Sequence, residues 1–253
     1  MSENISEKKM LGVVIPVYNE ADCIAEVITT WDTFLKGYIG DDFVMLLIND
    51  GSKDNTPAIL DSLLPQFKNL RVVHQKNGGH GNAVLNGYHK ILDYNPEWVF
   101  QVDSDNQFLP EDFPKLWEKR NESRFILGYR KVRYDDFNRL IITRIVRVLN
   151  LALYKKYIVD ANIPYRLIKA DYLKGLLSIL PENPFAPNIF LSVLAARDGN
   201  KLMNIPVTHK ERETGQVSII KMNLLKVCIR SARELMDFSS SINSRLKRLN
   251  QNK

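Results

Sequence analysis

Apolar runs alternate with segments of helical periodicity along the first part of the chain. Four runs are rich in aromatic and β-branched residues and lack helical spacing, which is typical of buried strands. They are a run that opens at Leu11 and ends at Pro16, and the segments Phe43–Ile48, Arg71–His74 and Trp98–Val102. The segments between them predict helices from Ile24 to about Leu35, ending before Gly37, and over Ala58–Phe67 and Ala83–Tyr94. This alternation predicts an α/β fold with a mainly parallel sheet flanked by helices on both faces.

The second half of the chain contains similar elements in a less regular order. The pattern predicts extended segments at Arg124–Tyr129, Asp160–Lys169 and Lys201–Val207, and helices at Pro110–Lys119, Asp171–Leu180 and Ala186–Ala196. The apolar segment Phe137–Val159 carries five cationic side chains, too many for a membrane span. It fits an interfacial membrane helix or a core helix with exposed arginines, and both interpretations stay open.

The last 35 residues, 219–253, form a basic amphipathic segment. They contain eight basic and two acidic residues, so their net charge of +6 equals that of the whole chain. We therefore divide the chain into a domain over residues 1–218 and a helical tail over 219–253. A basic tail fits an anionic lipid or nucleic-acid partner, but it also fits a solvated helix, and it could pack on the domain or on a bilayer.

Composition excludes several classes of protein. The chain of 253 residues is 45% hydrophobic and 25% charged, which is ordinary for a globular protein and excludes disorder. Cys23 and Cys228 lie far apart, so neither a disulfide framework nor a cysteine metal site is indicated. The first ten residues lack an apolar signal-peptide core, and no run is long enough to span a membrane. We therefore expect a cytoplasmic protein, or one that is peripheral on the cytoplasmic membrane face.

Candidate chemistry lies at the tips of the predicted strands. Asp103 and Asp105 directly follow the strand Trp98–Val102, and ligands of open α/β sheets bind beyond the carboxyl ends of strands. Carboxylates are typical ligands of Mg²⁺ and Mn²⁺, which also bind substrate phosphates. The Asp-Ser-Asp sequence alone also fits an ordinary turn. The glycine-rich segment Gln75–Val84 precedes a helix N-terminus and fits either a phosphate-binding loop or a simple turn.

Taken together, these loops resemble the family 2 glycosyltransferases, which have the Rossmann-like GT-A fold. The resemblance covers the chain from about Met10 to Ser218 and would make residues 1–218 the catalytic domain. The matching motifs, in chain order, are Pro16-Val17-Tyr18-Asn19-Glu20, Asn49-Asp50-Gly51-Ser52-Lys53-Asp54, Asn77-Gly78-Gly79-His80-Gly81-Asn82-Ala83 and Asp103-Ser104-Asp105.

The downstream half is similar to the branch of dolichyl-phosphate mannose synthase and bacterial polyprenyl-phosphate glycosyltransferases. Ile163-Pro164 departs from that branch, in which a Ser/Gly pair is usual. Many members also carry transmembrane helices after the catalytic domain, where this chain has the basic tail. The matching residues are Gln107, Gly128-Tyr129-Arg130, Asp160 with Tyr165-Arg166, and Pro206-Val207 with Arg212, Gly215 and Ser218.

The resemblance implies a hexosyltransferase whose donor is a nucleotide-diphosphate sugar, with either UDP or GDP. Asp103 and Asp105 would bind Mg²⁺ or Mn²⁺ at the diphosphate, and this metal would stabilise the leaving group. The implied catalytic residues are Asp103, Asp105, Arg130 and Arg212. The implied donor-binding residues are Pro16, Tyr18, Glu20, Asp50, Gly79, Gln107 and Arg166. Three arginines from the two sets, Arg130, Arg166 and Arg212, would hold phosphates.

The acceptor forms the other half of the reaction. Family members that glycosylate a sugar hydroxyl use a carboxylate base near the start of a late helix, but the segment Pro184–Leu191 contains no acid. We therefore expect inverting transfer to a polyprenyl (dolichyl or undecaprenyl) phosphate, which is already ionised. The alternative is a soluble enzyme of surface polysaccharide synthesis that acts on a sugar hydroxyl, with Asp198, Glu211 or Glu213 as an unusual base.

Other functions are less consistent with the motifs. A non-catalytic binding module would not need the Asp103/Asp105 pair, and a sugar nucleotidyltransferase would have a glycine-rich first loop, which is absent here. We do not expect nucleic acid as a partner, although peripheral membrane contact fits the basic tail. The sugar and the oligomeric state stay open.

Overall fold

The computed structural model describes residues 9–131, 151, 158–182, 184–199, 202–211 and 224–251, without the side chains of 224–232. Its strands are β1 Leu11–Val17, β2 Phe43–Asn49, β3 Leu70–His74, β4 Trp98–Gln101, β5 Phe125–Arg130, β6 Arg166–Lys169 and β7 Met203–Val207. They form one sheet in the order β3-β2-β1-β4-β6-β5-β7. Of these seven strands, β6 alone runs antiparallel to its neighbours β4 and β5, so the predicted mainly parallel α/β sheet is confirmed.

Helices connect these strands in the described part of the chain. They are α1 Ile24–Ile39, α2 Thr56–Leu63, α3 His80–Ile91, α4 Phe113–Trp117, α5 Ala170–Leu177, α6 Pro187–Arg197 and α7 Leu224–Gln251. The prediction that α1 ends before Gly37 is wrong, because the helix continues to Ile39. The helix stops at Gly40, whose positive φ of +70° suits glycine and breaks the helical path.

The core is built around the central strands. All seven residues of β1 and of β2 are buried, as expected for strands covered by helices on both faces. β1 does not end at Pro16, which is paired with Ile48 inside the strand. The strand tolerates this proline because β4 pairs only with Leu11–Val14, so the last residues of β1 have a strand partner on one side only.

The described part of helix α7 packs on the domain. The ring of Phe238 meets that of Phe190 on α6 edge-to-face, with 5.0 Å between the ring centroids. Met236, on the opposite side of the helix, is 47% exposed. The described side chains of α7 that join the common hydrophobic core are Leu235, Phe238, Ile242, Leu246 and Leu249. This stretch of the tail therefore contacts the domain.

Two of the predicted features lie outside the described residues. One is most of the basic apolar segment Phe137–Val159, and the other is the predicted boundary at residues 218 and 219. Among the helices in the described ranges, none has the length and apolar character that crossing a membrane requires.

Candidate active site

The sheet places the predicted motifs at one edge. β1 lies between β2 and β4 and is parallel to both, so the carboxyl ends of all three strands point the same way. Two backbone hydrogen bonds continue the alignment beyond the strands, from Asp50 N to Val17 O at 2.9 Å and from Val102 N to Val14 O at 3.2 Å. Asp50 and Asp103 therefore emerge on the two sides of the end of β1.

The first and second loops are tied together by hydrogen bonds. The backbone amide of Asn19 donates to Ser52 Oγ at 2.9 Å. The side-chain Oδ1 of Asn19 accepts from the backbone amide of Lys53 at 2.7 Å. The amide of Glu20 donates to Thr56 Oγ1 at 2.9 Å. Half-buried Tyr18 precedes this pair of loops. The two sequence motifs thus form one rigid surface beside the end of β1.

Glu20 is connected to the Asp103/Asp105 loop through a cysteine. The Sγ of buried Cys23 lies 3.3 Å from Glu20 Oε2 and 3.4 Å from the carbonyl oxygen of Ser104. Glu20 itself is buried. This contact joins the loop after β1 to the loop after β4, which the sequence motifs alone did not predict.

The carboxylate of Asp50 organises the glycine-rich loop. Its Oδ1 accepts from Gln75 Nε2 at 2.7 Å and from Gly78 N at 2.8 Å, and its Oδ2 accepts from Gly79 N at 2.8 Å. Asp50 is only 2% exposed. Because a carboxylate offers about four acceptor positions, three of which these donors use, it has capacity for one more donor, such as the ring N–H of a base.

A carboxylate of the protein itself contacts the glycine-rich loop. The amides of Gly78 and Gly79 donate to the Asp50 carboxylate, and the two interpretations of this loop, a phosphate-binding loop and a simple turn, both stay open. The side chain of Asn77 also donates to the Asp50 carbonyl oxygen at 2.8 Å. Gly79, with φ of +86°, makes this turn possible. Its backbone is thus part of an internal contact between two loops.

Asp103 offers an oxygen that lacks a donor. Its Oδ1 is buried and has no hydrogen-bond partner within the described residues, while the side chain as a whole is 25% exposed. Burial, followed by the negative charge of Asp105, raises the pKa of Asp103 well above its usual value. The Nε2 atom of His80, at the start of α3, lies 3.9 Å from Asp103 Oδ1. A buried carboxylate oxygen beside a second carboxylate favours a bound cation.

The donor set fits a metal that is shared with a substrate. No group of three histidine, cysteine, aspartate or glutamate side chains suitable for a metal occurs among the residues described. Asp103 and Asp105 would therefore supply two carboxylates, and the remaining ligands would come from phosphate oxygens and water, as is usual for Mg²⁺. Asp105 Oδ1 also accepts from the amide of Gln107 at 3.2 Å, which orders the loop.

Gln107 joins the loop that contains Asp103 and Asp105 to the segment that follows β7. Its Nε2 donates to the carbonyl oxygen of Lys210 at 2.9 Å, and the amide of Lys210 donates to the Gln107 carbonyl oxygen at 2.9 Å. These contacts lead to the segment that contains Arg212, which lies outside the described residues. Gln107 therefore positions a neighbouring loop through both its side chain and its backbone.

Arg130 lies at the end of β5 and forms an ion pair. Its Nε donates to Asp160 Oδ2 at 2.9 Å, and both side chains are largely shielded from solvent. The positive charge of Arg130 also lowers the pKa of Asp103, in opposition to the effect of burial. Asp160 thus orients the guanidinium group of Arg130, whose predicted role in holding phosphate stays a prediction.

Arg166 has a fully enclosed environment. Its side chain is completely buried, and its predicted role in binding phosphate stays a prediction. Its Nε donates to the carbonyl oxygen of Ile163 at 2.9 Å, and its Nη1 donates to that of Asn188 at 3.0 Å. Nη2 donates to the carbonyl oxygen of Ala161 at 3.2 Å. The guanidinium group therefore satisfies backbone carbonyls of the segment before β6 and of the first turn of α6.

Comparison with known proteins identifies the family. The family model described as glycosyl transferase family 2 matches residues 12–175. The chain belongs to this family. The predicted resemblance to family 2 glycosyltransferases is therefore confirmed.

Two relatives of this chain are described as the same kind of sugar transferase. The undecaprenyl-phosphate 4-deoxy-4-formamido-L-arabinose transferase of Enterobacter sp. (strain 638) is 28% identical over 220 residues, which cover 86% of this chain and 64% of the relative. The protein of the same description from Klebsiella pneumoniae (strain 342) is 28% identical over 222 residues, which cover 87% of this chain and 65% of the relative. The chain thus spans slightly less than two thirds of the length of these relatives.

Solved structures support the family 2 fold. Glucosyl-3-phosphoglycerate synthase from Mycobacterium tuberculosis, in complex with Mn²⁺, UDP and glucosyl-3-phosphoglycerate, superposes with a TM-score of 0.64 at 17% identity, covering 90% of this chain and 79% of that one. S. aureus TarS 1–349 superposes with a TM-score of 0.54 at 15% identity, covering 91% of this chain and 73% of that one. At these identities the likeness shows the fold, and it confirms the predicted GT-A architecture.

A buried polar layer that the sequence pattern did not predict lies behind the family 2 site. The hydroxyl of Tyr88 donates to Gln101 Oε1 at 2.6 Å, and its oxygen lies 3.3 Å from Asn188 Oδ1. All three residues are buried, and burial raises the pKa of Tyr88 above its ordinary value. The sequence contains one signal of this layer, because Gln101 interrupts the otherwise apolar strand β4.

The three alternative candidates for a base, Asp198, Glu211 and Glu213, lie in different parts of the chain. Asp198 follows the last residue of α6, and its Oδ2 accepts from the hydroxyl of Tyr172 at 3.2 Å. The length of α6 separates Asp198 from Asn188 at the other end by roughly 15 Å. Asp198 therefore lies far from the start of α6, and its use as an unusual base stays a prediction. Glu211 is exposed, and Glu213 lies outside the described residues.

Proposed function

We propose that this protein transfers a sugar from a nucleotide-diphosphate sugar to a polyprenyl phosphate, with a divalent cation at Asp103 and Asp105. The observation that carries the proposal is the buried Asp103 Oδ1 without a hydrogen-bond partner in the described chain, adjacent to a second carboxylate at the end of β4. The complex of glucosyl-3-phosphoglycerate synthase with Mn²⁺ and UDP supports this donor and cofactor class. Relatives described as undecaprenyl-phosphate sugar transferases support the acceptor class.

Each loop would have a distinct role in donor binding. The joined loops that contain Tyr18, Glu20 and Asp50 would bind the nucleoside, and Asp50 would accept one ring N–H at its remaining acceptor position. Asp103 and Asp105 would hold Mg²⁺ or Mn²⁺, and the cation would neutralise charge on the leaving diphosphate. We propose UDP as the donor nucleotide, with GDP as the alternative that the experiment below distinguishes.

The acceptor would be activated without a protein base. Among the described residues, the start of α6 carries Asn188 and no acidic residue of its own. The carboxylate of Glu234, which reaches the preceding loop from α7, accepts a hydrogen bond from the Phe185 amide. A phosphate monoester is ionised near neutral pH, so its oxygen can attack the anomeric carbon directly and displace the nucleoside diphosphate with inversion. Arg130, which Asp160 orients, would hold an anionic oxygen of a bound phosphate. Because a polyprenyl chain is inserted in a membrane, we expect the reaction at a membrane surface.

Release of nucleoside diphosphate tests the proposed reaction directly. The purified protein is incubated with a panel of UDP- and GDP-sugars, Mn²⁺ or Mg²⁺, and one of three acceptors: a short-chain polyprenyl phosphate, the matching polyprenol, or a free oligosaccharide. We expect release that requires both the cation and the lipid phosphate, and the polyprenol controls for the lipid chain alone. Release that occurs only with the oligosaccharide would contradict the proposal and select the sugar-hydroxyl alternative.

The proposed metal role predicts a specific defect in Asp103→Asn. We expect turnover to fall by about 100-fold or more, because the leaving diphosphate loses the charge stabilisation that the cation supplies. Mn²⁺ with UDP should raise the Tm of the wild type but not that of the variant, since a ligand stabilises only a protein that binds it. Asp93→Asn, at an exposed carboxylate, is the control. Wild-type turnover by Asp103→Asn would rule out this metal role.

A further inference from the structure

Helix α7 contacts the loop in front of α6. The Oε2 atom of Glu234 accepts a hydrogen bond from the amide of Phe185 at 3.0 Å. Phe185 stands two residues before Pro187, the first residue of α6. Because the first amides of a helix and its preceding turn lack partners within the helix, an acceptor from outside stabilises this segment. Glu234 therefore connects a helix that we predicted as a separate tail to the start of α6.

The same loop touches the beginning of α3. A Cβ atom added at Gly81 would lie 2.3 Å from the carbonyl oxygen of Phe185 and 3.0 Å from Pro187 Cδ. Only a glycine allows this close approach of two backbones. Gly81 follows His80, whose Nε2 is 3.9 Å from Asp103 Oδ1. A continuous line of contacts therefore runs from α7 through segment 185–187 to the carboxylate pair.

A second line of contacts starts from the same loop. Asn188 follows Pro187 directly, and its Oδ1 lies 3.3 Å from the hydroxyl oxygen of Tyr88 on α3. Its carbonyl oxygen accepts from Arg166 Nη1 at 3.0 Å. Asn188 is therefore held from two sides once the preceding loop is in place. The position of segment 185–187 thus affects both the start of α3 and the polar layer behind β4.

We propose that Glu234 is a positioning residue of the active site. By accepting the hydrogen bond of the Phe185 amide, it holds segment 185–187 against Gly81 and keeps the start of α3 beside Asp103. Its loss would loosen this support without removing any group that touches the donor. The kinetic part of the test rests on the proposed glycosyltransferase function, whereas the exchange part does not.

Hydrogen exchange tests the structural half of the proposal. Three variants are compared with the wild type by mass spectrometry: Glu234→Ala, Glu234→Gln, whose amide oxygen still accepts, and Asp237→Ala, an exposed control on the same helix. We expect several-fold faster exchange over residues 78–88 and 184–190 in Glu234→Ala only. Equal exchange in Glu234→Ala and the wild type would overturn the proposal, as would equal acceleration in Asp237→Ala.

Kinetics test the functional half. We expect Glu234→Ala to raise the KM for the nucleotide-sugar several-fold, with a smaller change in kcat, and Glu234→Gln to restore most of the wild-type value. A KM unchanged in Glu234→Ala, in an enzyme whose wild type is active, would overturn the positioning role. A wild type that releases no nucleoside diphosphate with any donor would instead contradict the proposed function, and the exchange experiment would still decide the role of Glu234.

Discussion

The carboxylate of Asp50 accepts three hydrogen bonds within the protein. Its structural role in holding the glycine-rich loop follows from these partners and not from its residue type alone. Sequence motifs indicated a ligand-binding carboxylate, and the structure adds that it holds the glycine-rich loop through Gln75, Gly78 and Gly79. A substitution at Asp50 is therefore expected to disturb the glycine-rich loop even when no nucleotide is bound.

Asp50→Asn should reduce the stability of the protein even without a ligand. The amide group of asparagine would direct a donor toward one of the two glycine amides, so at least one charge-assisted hydrogen bond is lost. We expect the free energy of unfolding to fall by about 2 kcal/mol, measured by chemical denaturation. Asp93→Asn, which changes an exposed carboxylate, should stay within about 0.5 kcal/mol of the wild type. Equal stability of the two variants would show that Asp50 does not hold the loop.

Arg166→Met should separate a structural role from a ligand-binding role. The substitution leaves the buried carbonyl oxygen of Ile163 without its guanidinium donor. The carbonyl oxygen of Asn188 also loses its guanidinium donor and keeps the hydrogen bond from Ser192 Oγ at 2.8 Å. We expect a loss of about 3 kcal/mol or more in the free energy of unfolding, measured by denaturation in the absence of any ligand. Arg248→Met, at an exposed position on α7, is the matched control. Unchanged stability combined with a raised KM for the nucleotide-sugar would support the predicted phosphate-binding role of Arg166.

Helices and loops depend on close approaches that a one-dimensional pattern does not contain. The periodicity of α1 correctly located its buried face, but it did not determine which glycine ends the helix. Gly37 lies inside α1, and a Cβ atom added there would have no atom within 4 Å, whereas Gly40 has the positive φ that ends the helix. Gly81 illustrates a third use of glycine, because it lets α3 contact the loop before α6.

Gly81→Ala should be destabilising although alanine favours helices. The new methyl group would lie 2.3 Å from the carbonyl oxygen of Phe185, which forces a shift of one backbone. We expect a loss of about 1–3 kcal/mol, the typical cost of overpacking, and this exceeds the helix propensity gain of about 1 kcal/mol. Gly37→Ala, in open space on α1, should instead gain up to about 1 kcal/mol. Thermal denaturation of both variants tests the contrast, and a stabilised Gly81→Ala would contradict the packing described.

At the scale of the whole molecule, α7 joins the core of the domain. Its buried residues contact α6, and Arg245 Nη1 donates to the carbonyl oxygens of Ile179 and Leu180 at 2.7 and 3.1 Å, just after α5. These contacts leave the outer face of the helix, with Met236, Lys247 and Arg248, exposed to solvent. Six of the eight basic residues of the tail lie on this helix, which is anchored to the rest of the domain.

Phe238→Ala should measure how much α7 contributes to stability. The substitution removes an aromatic ring from the contact with Phe190, and we expect a loss of about 3–4 kcal/mol in the absence of lipid. Met236→Ala, on the outer face of the same helix and 47% exposed, should change stability by less than about 0.5 kcal/mol. A helix that packed on a bilayer instead would leave both variants as stable as the wild type in lipid-free solution. Chemical denaturation without lipid distinguishes these results.

The amino-acid sequence by itself determined the order of strands and helices, the mainly parallel sheet and the family motifs at the strand ends. These features depend on local periodicity, on turn residues and on pairs such as Asp103 and Asp105, which lie two positions apart. They were predictable because hydrophobic burial of each element imposes a repeating pattern on neighbouring residues, and because parallel strands bring their carboxyl ends to one edge.

Only the tertiary structure decided which charged groups are available for a ligand and which hold the fold. Asp50 and Gly78 are 28 positions apart, and Phe185 and Glu234 are 49 positions apart. The burial of Arg166 likewise depends on its contact with Asn188, 22 positions away. Such partners are chosen by three-dimensional packing, where an arginine or aspartate must satisfy whatever polar groups surround it, and the residue type alone does not reveal which groups those are.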